Sequence, residues 1–221
     1  MITLVCLDMA GTTVQDSGAV LASFDAALHA AGFTAGSPEH SAGRHYAIDT
    51  MGQSKIEVFR AILGGDEDRA RHANAAFEAA YSESLDTLEP IPGAAETIEK
   101  LRSSGRHVVL TTGFSPVTRD RILDVLGWHG LIELALSPAD AGRGRPYPDM
   151  LLTALLRTGA DSVSAIAAVG DTTSDLLAGF RAGAGLVAGV RTGTHTDADF
   201  ATVPHTHVLD SVTDLPAVIG A

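Results

Sequence analysis

Two acidic residues stand directly behind apolar runs, and each is followed by small, turn-forming residues. The first opens Asp8-Met9-Ala10-Gly11-Thr12-Thr13, after the run Ile2 to Leu7; the second opens Asp171-Thr172-Thr173-Ser174-Asp175, after Ala165 to Val169. A carboxylate at a strand end, followed by a turn with free amides, can hold a cation and face a phosphoryl group. Asp171 and Asp175 straddle a strand-to-helix junction, so Asp171 can reach a metal while Asp175 supports the site from the helix. The same Asp, Thr and Ser also suit plain N-capping of that helix. Between these clusters lie Thr111-Thr112-Gly113, after another apolar run, and Gly144-Arg145-Pro146-Tyr147-Pro148-Asp149, before a helical pattern. A hydroxyl with adjacent amides and a guanidinium fork are the groups that neutralise phosphate oxygens. Together, in this order, the four clusters point to phosphoryl chemistry far more strongly than any one of them.

The elements that must position these residues alternate along the chain. Short apolar runs at Ile2 to Leu7, His107 to Leu110, Ala165 to Val169, Gly185 to Val190 and His207 to Leu209 read as buried strands, with helical patterns at Ala94 to Ser103, Pro148 to Leu156 and Asp175 to Ala182 between them. That alternation predicts an α/β fold, a parallel sheet with helices on both faces, whose ligands gather at the carboxyl ends of the strands. From about Val14 to Leu88 the strand signal disappears. Val20, Phe24 and Leu28 then share one helical face, and Ile56, Phe59, Ile62 and Leu63 another. Glu89-Pro90-Ile91-Pro92-Gly93 reads as the hinge leading back. The division predicted is a core of residues 1–14 and 89–221 with a helical cap, 15–88, inserted after the first strand.

The four clusters resemble those of the haloacid dehalogenase superfamily over essentially the full length of the chain. The resemblance implies a Rossmann-like core with a small inserted α-helical cap, and magnesium (Mg2+) as cofactor. It assigns Asp8 as nucleophile, Thr111, Thr112 and Gly113 to phosphate binding, and Arg145 to transition-state stabilisation. Asp8, the Ala10 carbonyl and Asp171 would serve the metal, supported by Thr12 and Asp175. Most phosphatases of the superfamily carry a second Asp two residues after the nucleophile, as general acid for the leaving alkoxide. Here that position is Ala10, so ordinary ester cleavage lacks about two to four powers of ten of acid catalysis.

Asp8-Met9-Ala10-Gly11-Thr12-Thr13 and Gly144-Arg145-Pro146-Tyr147-Pro148 resemble the phosphonoacetaldehyde hydrolases, or phosphonatases, which cleave a carbon–phosphorus bond. Met51-Gly52-Gln53-Ser54-Lys55 is similar to the cap motif of that family and puts Lys55 at its Schiff-base position, with Met51 and Gly52 lining the substrate. For that role the Lys55 pKa must be lowered by a closed site. Lys55 could equally start a helix or meet phosphate as a cation. Two departures stand out: Val58 replaces a family His, and Phe114 replaces a Tyr. The resemblance implies hydrolysis of a small phosphonate through an aspartyl-phosphate, and a homodimer formed through the cap. The alternatives are a phosphatase for a small phosphate monoester, disfavoured by Ala10, and a non-catalytic phosphate-binding relative, disfavoured by the intact Asp8, Arg145 and Asp171.

Composition narrows the rest. A length of 221 residues accommodates one substantial core and one small accessory domain. A formal charge of −12 excludes the clustered Lys and Arg that nucleic-acid or anionic-membrane partners need. The single Cys6 lies in the first apolar run and reads as a buried structural thiol. No stretch reaches the roughly 18 apolar residues of a bilayer span, and no basic region precedes a long apolar run at the N-terminus, so a cytoplasmic enzyme is expected. His45, His205 and His207 lack companions at metal-ligand spacing. Asp16 falls in the linker to the cap, where an exposed or capping role is expected.

Overall fold

The computed structural model describes all 221 residues. Six parallel strands, β1 (Leu4–Asp8), β2 (His107–Thr111), β3 (Leu134–Leu136), β4 (Ile166–Gly170), β5 (Leu186–Val190) and β6 (His207–Leu209), form one sheet in the order β3-β2-β1-β4-β5-β6. β1 is wholly buried at the centre, which explains its unbroken apolar run. Its side chains divide by the two-residue period of a strand. Val5 and Leu7 enter the larger core, whereas Leu4 and Cys6 pack with Met150, Leu151 and Ala154 on the other face. β1 pairs with β2 on one side (Leu7 opposite Leu110) and with β4 on the other (Leu7 opposite Val169). The direction of winding reverses between β1 and β4, the crevice in which such sheets bind ligands.

Between β1 and β2 come α1 (Ala19–Ala30), α2 (Pro38–Asp49), α3 (Lys55–Ile62), α4 (Glu67–Ser82) and then α5 (Ala94–Ser103). The first four make the cap. α4 presents Ala70, Ala73, Phe77 and Tyr81 at near-helical intervals to Val20, Phe24, Ala27 and Leu28 of α1, and all eight are buried. Phe59 of α3 completes the cluster, its ring 5.3 Å from that of Phe24. The chain enters and leaves the cap along paired linkers: Gln15 N–H donates to Glu89 O, and Ile91 N–H donates to Thr13 O. The pairing lies at the Pro- and Gly-rich segment 89–93.

The remaining helices are α6 (Pro116–Leu126), α7 (Pro138–Ala141), α8 (Asp149–Thr158), α9 (Thr173–Ala182), α10 (Asp197–Phe200) and α11 (Leu215–Ile219). α9 starts in a capping box, with the Thr172 hydroxyl and the Asp175 carboxylate exchanging bonds across the first turn. No helix is long and apolar enough to cross a membrane.

Candidate active site

Asp8 ends β1 and Asp171 follows β4, so two neighbouring parallel strands deliver two carboxylates to one crevice. Both are almost fully buried. Arg145 joins Asp8 to the rest of the site: its Nη1 lies 2.6 Å from Asp8 Oδ1 and 2.7 Å from Asp175 Oδ1, and its Nη2 donates to Thr111 Oγ1 at 2.9 Å. Asp175 therefore takes both positions read for it. One oxygen pairs with Arg145, and the other accepts from Thr172 N–H and Oγ in the cap of α9. Thr13 Oγ1 donates to Asp8 O and holds the turn after β1. The Thr12 hydroxyl, expected to support the metal ligands, is buried with no partner.

Three carboxylates and one guanidinium leave this region with two uncompensated negative charges when all are ionised. Burial pushes the Asp171 carboxyl well above the ordinary range, and the Asp8 and Asp175 charges add to the effect. Burial also raises Asp8, against the opposing pull of Arg145. A divalent cation is the charge this arrangement lacks. The Ala10 segment lines the same cleft as Asp8 and Asp171, and two carboxylates with a backbone carbonyl are the hard oxygen donors magnesium takes alongside water.

The loop after β5, absent from the sequence reading, encloses Asp171. Thr194 N–H donates to Asp171 Oδ2 at 2.8 Å, His195 N–H donates to Asp171 O, and Thr192 Oγ1 donates to Gly11 O. A Cβ on Gly193 would fall 2.0 Å from Asp171 Oδ2, and one on Gly11 2.5 Å from it, so both glycines are required by close approach. His195 Nδ1 accepts from Thr173 N–H, placing the ring between the start of α9 and the cap.

Lys55 is the first residue of α3, and its side chain turns into the cleft shared with Asp8, Ala10, Met51, Gly52, Thr112, Gly113 and Asp171. Its Nζ lies 5.2 Å from the Phe114 ring centroid, 5.4 Å from Phe24 and 5.7 Å from Phe77. No protein group hydrogen-bonds it, and burial lowers its pKa to about 8, against the attraction of Asp8 and with the help of Arg145. Ring faces attract an ammonium, but by less than loss of its hydration shell disfavours it, so the neutral amine gains.

Cap and core meet at two glycines. A Cβ on Gly113 would lie 2.3 Å from Gln53 O, and one on Gly52 2.5 Å from Thr172 Oγ1. Gly52 O also faces Arg145 Nη1 at 3.4 Å. The Met51 to Ser54 loop thus closes directly on the ends of β2 and β4. Asp16 caps α1 through Gly18 and Val20 N–H, and it also borders the cleft, which the sequence reading did not foresee. His45 and Tyr46 face solvent on α2, away from the cleft. Val58 packs in the core of the cap, and Phe114 stacks on Tyr81 at 4.5 Å.

A family model described as haloacid dehalogenase-like hydrolase matches residues 2–183. The chain is 31% identical over 154 residues to a phosphonoacetaldehyde hydrolase of Pseudomonas fluorescens (strain SBW25), covering 59% of this chain and 56% of that one. It therefore spans little more than half the length of that relative. It is 26% identical to a protein of Dickeya dadantii (strain 3937) described as probable phosphatase IndB, over 99% of this chain and 92% of the other. Among solved structures, a phosphonoacetaldehyde hydrolase-like protein from Oleispira antarctica superimposes with a TM-score of 0.81 at 24% identity, over 99% of this chain and 91% of that one, which is a likeness of fold.

Proposed function

Because the chain belongs to the haloacid dehalogenase-like hydrolases, we propose that it hydrolyses the carbon–phosphorus bond of a small phosphonate bearing an aldehyde, phosphonoacetaldehyde being the substrate that fits best. The observation that carries this reading is Lys55, a lysine stripped of hydrogen bonds among three aromatic rings, with its pKa lowered to about 8, in the same cleft as Asp8. A phosphate-binding cation would be better served by full protonation; a carbonyl-condensing amine needs the free base.

In this account residues 15–88 act as a cap over a core of 1–14 and 89–221, closing through Met51 and Gly52 onto Thr112 and Gly113. The neutral Lys55 Nζ adds to the substrate carbonyl carbon, and with the uptake of one proton from solvent, returned when the imine is hydrolysed, water leaves to give an iminium. Asp8 attacks phosphorus, and the electrons of the breaking C–P bond enter the iminium to form an enamine. Protonation at carbon and addition of water release acetaldehyde and restore Lys55. A second water hydrolyses the aspartyl-phosphate, so the net reaction consumes one water. Arg145 and Thr111, bonded to each other beside Asp8, offset charge on the phosphoryl oxygens. Magnesium, held by Asp8, Asp171 and the Ala10 carbonyl, would supply further charge neutralisation there. Thr194 and Asp175 hold Asp171 and Arg145 in place.

A second reading, a phosphatase for a small phosphate monoester, draws on Val58 and Phe114 at the departing positions and on the likeness to the Dickeya protein over nearly the whole chain. Against it stands Ala10, which has no proton to give a leaving alkoxide. Phosphate and acetaldehyde assays on phosphonoacetaldehyde, run beside a panel of phosphate monoesters, separate the two. The proposal expects equimolar phosphate and acetaldehyde; rapid ester hydrolysis with no acetaldehyde contradicts it.

A further inference from the structure

Dehydration of the Lys55 adduct and its later hydrolysis each move a proton to or from an oxygen inside the cleft. The titratable side chains lining that cleft are Asp8, Asp16, Lys55 and Asp171, and no histidine or tyrosine is among them. Asp8 is committed to phosphorus, Asp171 to the cation position, and Lys55 becomes the iminium nitrogen. Asp16 is the group left over. It is half-buried, whereas Asp8 and Asp171 are buried. It also borders two spaces at once: the cleft, and a wider surface crevice lined by Gln15, Ser17, Pro92 and Thr192. No other residue lines both, so a proton can pass from solvent to the cleft through this one carboxyl. The two bonds that cap α1, from Gly18 N–H at 3.0 Å and Val20 N–H at 3.4 Å, both fall on Oδ1. One oxygen thus fixes the side chain, and Oδ2 is uncommitted.

We infer that Asp16 is the general acid and base of the imine steps, relaying a proton between solvent and the oxygen that leaves, and later returns to, the carbon bonded to Lys55 Nζ. In the first step the Asp16 carboxyl, protonated from the crevice, gives its proton to the carbinolamine hydroxyl. The C–O bond breaks, the nitrogen lone pair forms the C=N bond, and water departs, leaving Asp16 as the carboxylate. In the last step water adds to the carbon of the acetaldehyde iminium, and the carboxylate takes the proton that this water sheds. The proton then returns to solvent. The inference rests on the aldehyde substrate proposed above, since a phosphate monoester has no such oxygen to lose.

The test follows the borohydride-trapped Lys55 adduct over time after mixing with phosphonoacetaldehyde, in Asp8→Asn and in Asp8→Asn/Asp16→Asn, so that condensation is read with C–P cleavage blocked. Asparagine keeps an oxygen to cap α1 but cannot exchange a proton, so its Tm should stay within about 2 °C of the parent. Adduct formation is expected to slow about 10²-fold and to reach the same final extent, because an acid–base catalyst changes a rate and not an equilibrium. Asp16→Glu, which retains an acid, should react at least about tenfold faster than Asp16→Asn in the same background. A purely electrostatic role has the opposite sign: the Asp16 charge favours protonated Lys55, so removing it would free more amine and speed condensation. Unchanged or faster adduct formation in Asp16→Asn, a final extent reduced in proportion to the rate, or equal rates in the Asn and Glu variants overturns the role of Asp16. Absence of any adduct in Asp8→Asn overturns the imine route itself, so the two failures are told apart.

Discussion

At the carboxyl ends of β1 and β4, charge is kept by pairing: Arg145 bridges Asp8 and Asp175, and Thr194 holds Asp171. A few residues away in the same cleft, Lys55 has no paired carboxylate and no hydrogen bond, only aromatic faces. The core end therefore keeps its carboxylates charged only to the extent that Arg145, or a bound cation, compensates the burial that raises Asp8 and Asp171. The cap end favours the uncharged form of a base. One cleft can support both because they are built on separate layers, strand ends on one side and the α1–α4 aromatic cluster on the other, which meet at Gly52 and Gly113. The difference teaches that burial disfavours charge at both ends, raising Asp8 and Asp171 and lowering Lys55, and that only the core end is built with charged partners to oppose it.

Breaking the core end should have the largest effect. Asp8→Asn is expected to lower turnover by at least about 10⁴-fold, since the attacking oxygen is lost, while Lys55 remains able to condense with an aldehyde. Steady-state phosphate release checks it. Next, Arg145→Lys replaces a fork that reaches Asp8, Asp175 and Thr111 together by a point charge, and should cost about 10²- to 10³-fold in kcat.

The cap end is probed by stability. A lysine whose folded pKa is about 8 against an ordinary 10.5 is held in the fold at a cost of about 3 kcal/mol at pH 7. Between pH 8 and 10.5 the unfolded chain binds the proton that the folded chain does not, so this contribution makes stability rise with pH. Lys55→Met should be more stable than wild type at pH 7, and that advantage should vanish as the pH approaches 10.5, as read by urea melts across the range. The smallest effect expected is on metal response. Magnesium should raise the wild-type Tm by about 3 °C by relieving repulsion between Asp8 and Asp171, and Asp171→Asn should abolish that shift while being the more stable protein without metal.

Much of this comparison was legible in the residues. β1, β2, β4 and β5 announce themselves as apolar runs, because a strand buried on both faces has no polar alternation to hide it, and β6, a short edge strand with His207 exposed, was legible from Val208 and Leu209. β3 does not, being three residues at the sheet edge within Leu131 to Leu136, and the start of α6 is marked only by its N-cap, Ser115-Pro116. Asp8, Thr111, Arg145, Asp171 and Asp175 were readable because each sits at or close to an end of an element, where sequence and space coincide. The rings around Lys55 come from positions 24, 77 and 114, and no local period connects them. The same holds for Thr194, which reaches Asp171 from the neighbouring strand end. Only Thr192-Gly193-Thr194-His195, small residues behind the apolar run of β5, could have signalled that loop.

The central claim is that a deprotonated Lys55 and a nucleophilic Asp8 act on one substrate. Borohydride reduction of the protein with phosphonoacetaldehyde, followed by peptide mass mapping, tests it most directly. The account predicts a stable adduct on Lys55, formed in Asp8→Asn as well and increasing with pH toward a midpoint near 8. Turnover without any adduct, undiminished in Lys55→Arg, would contradict it.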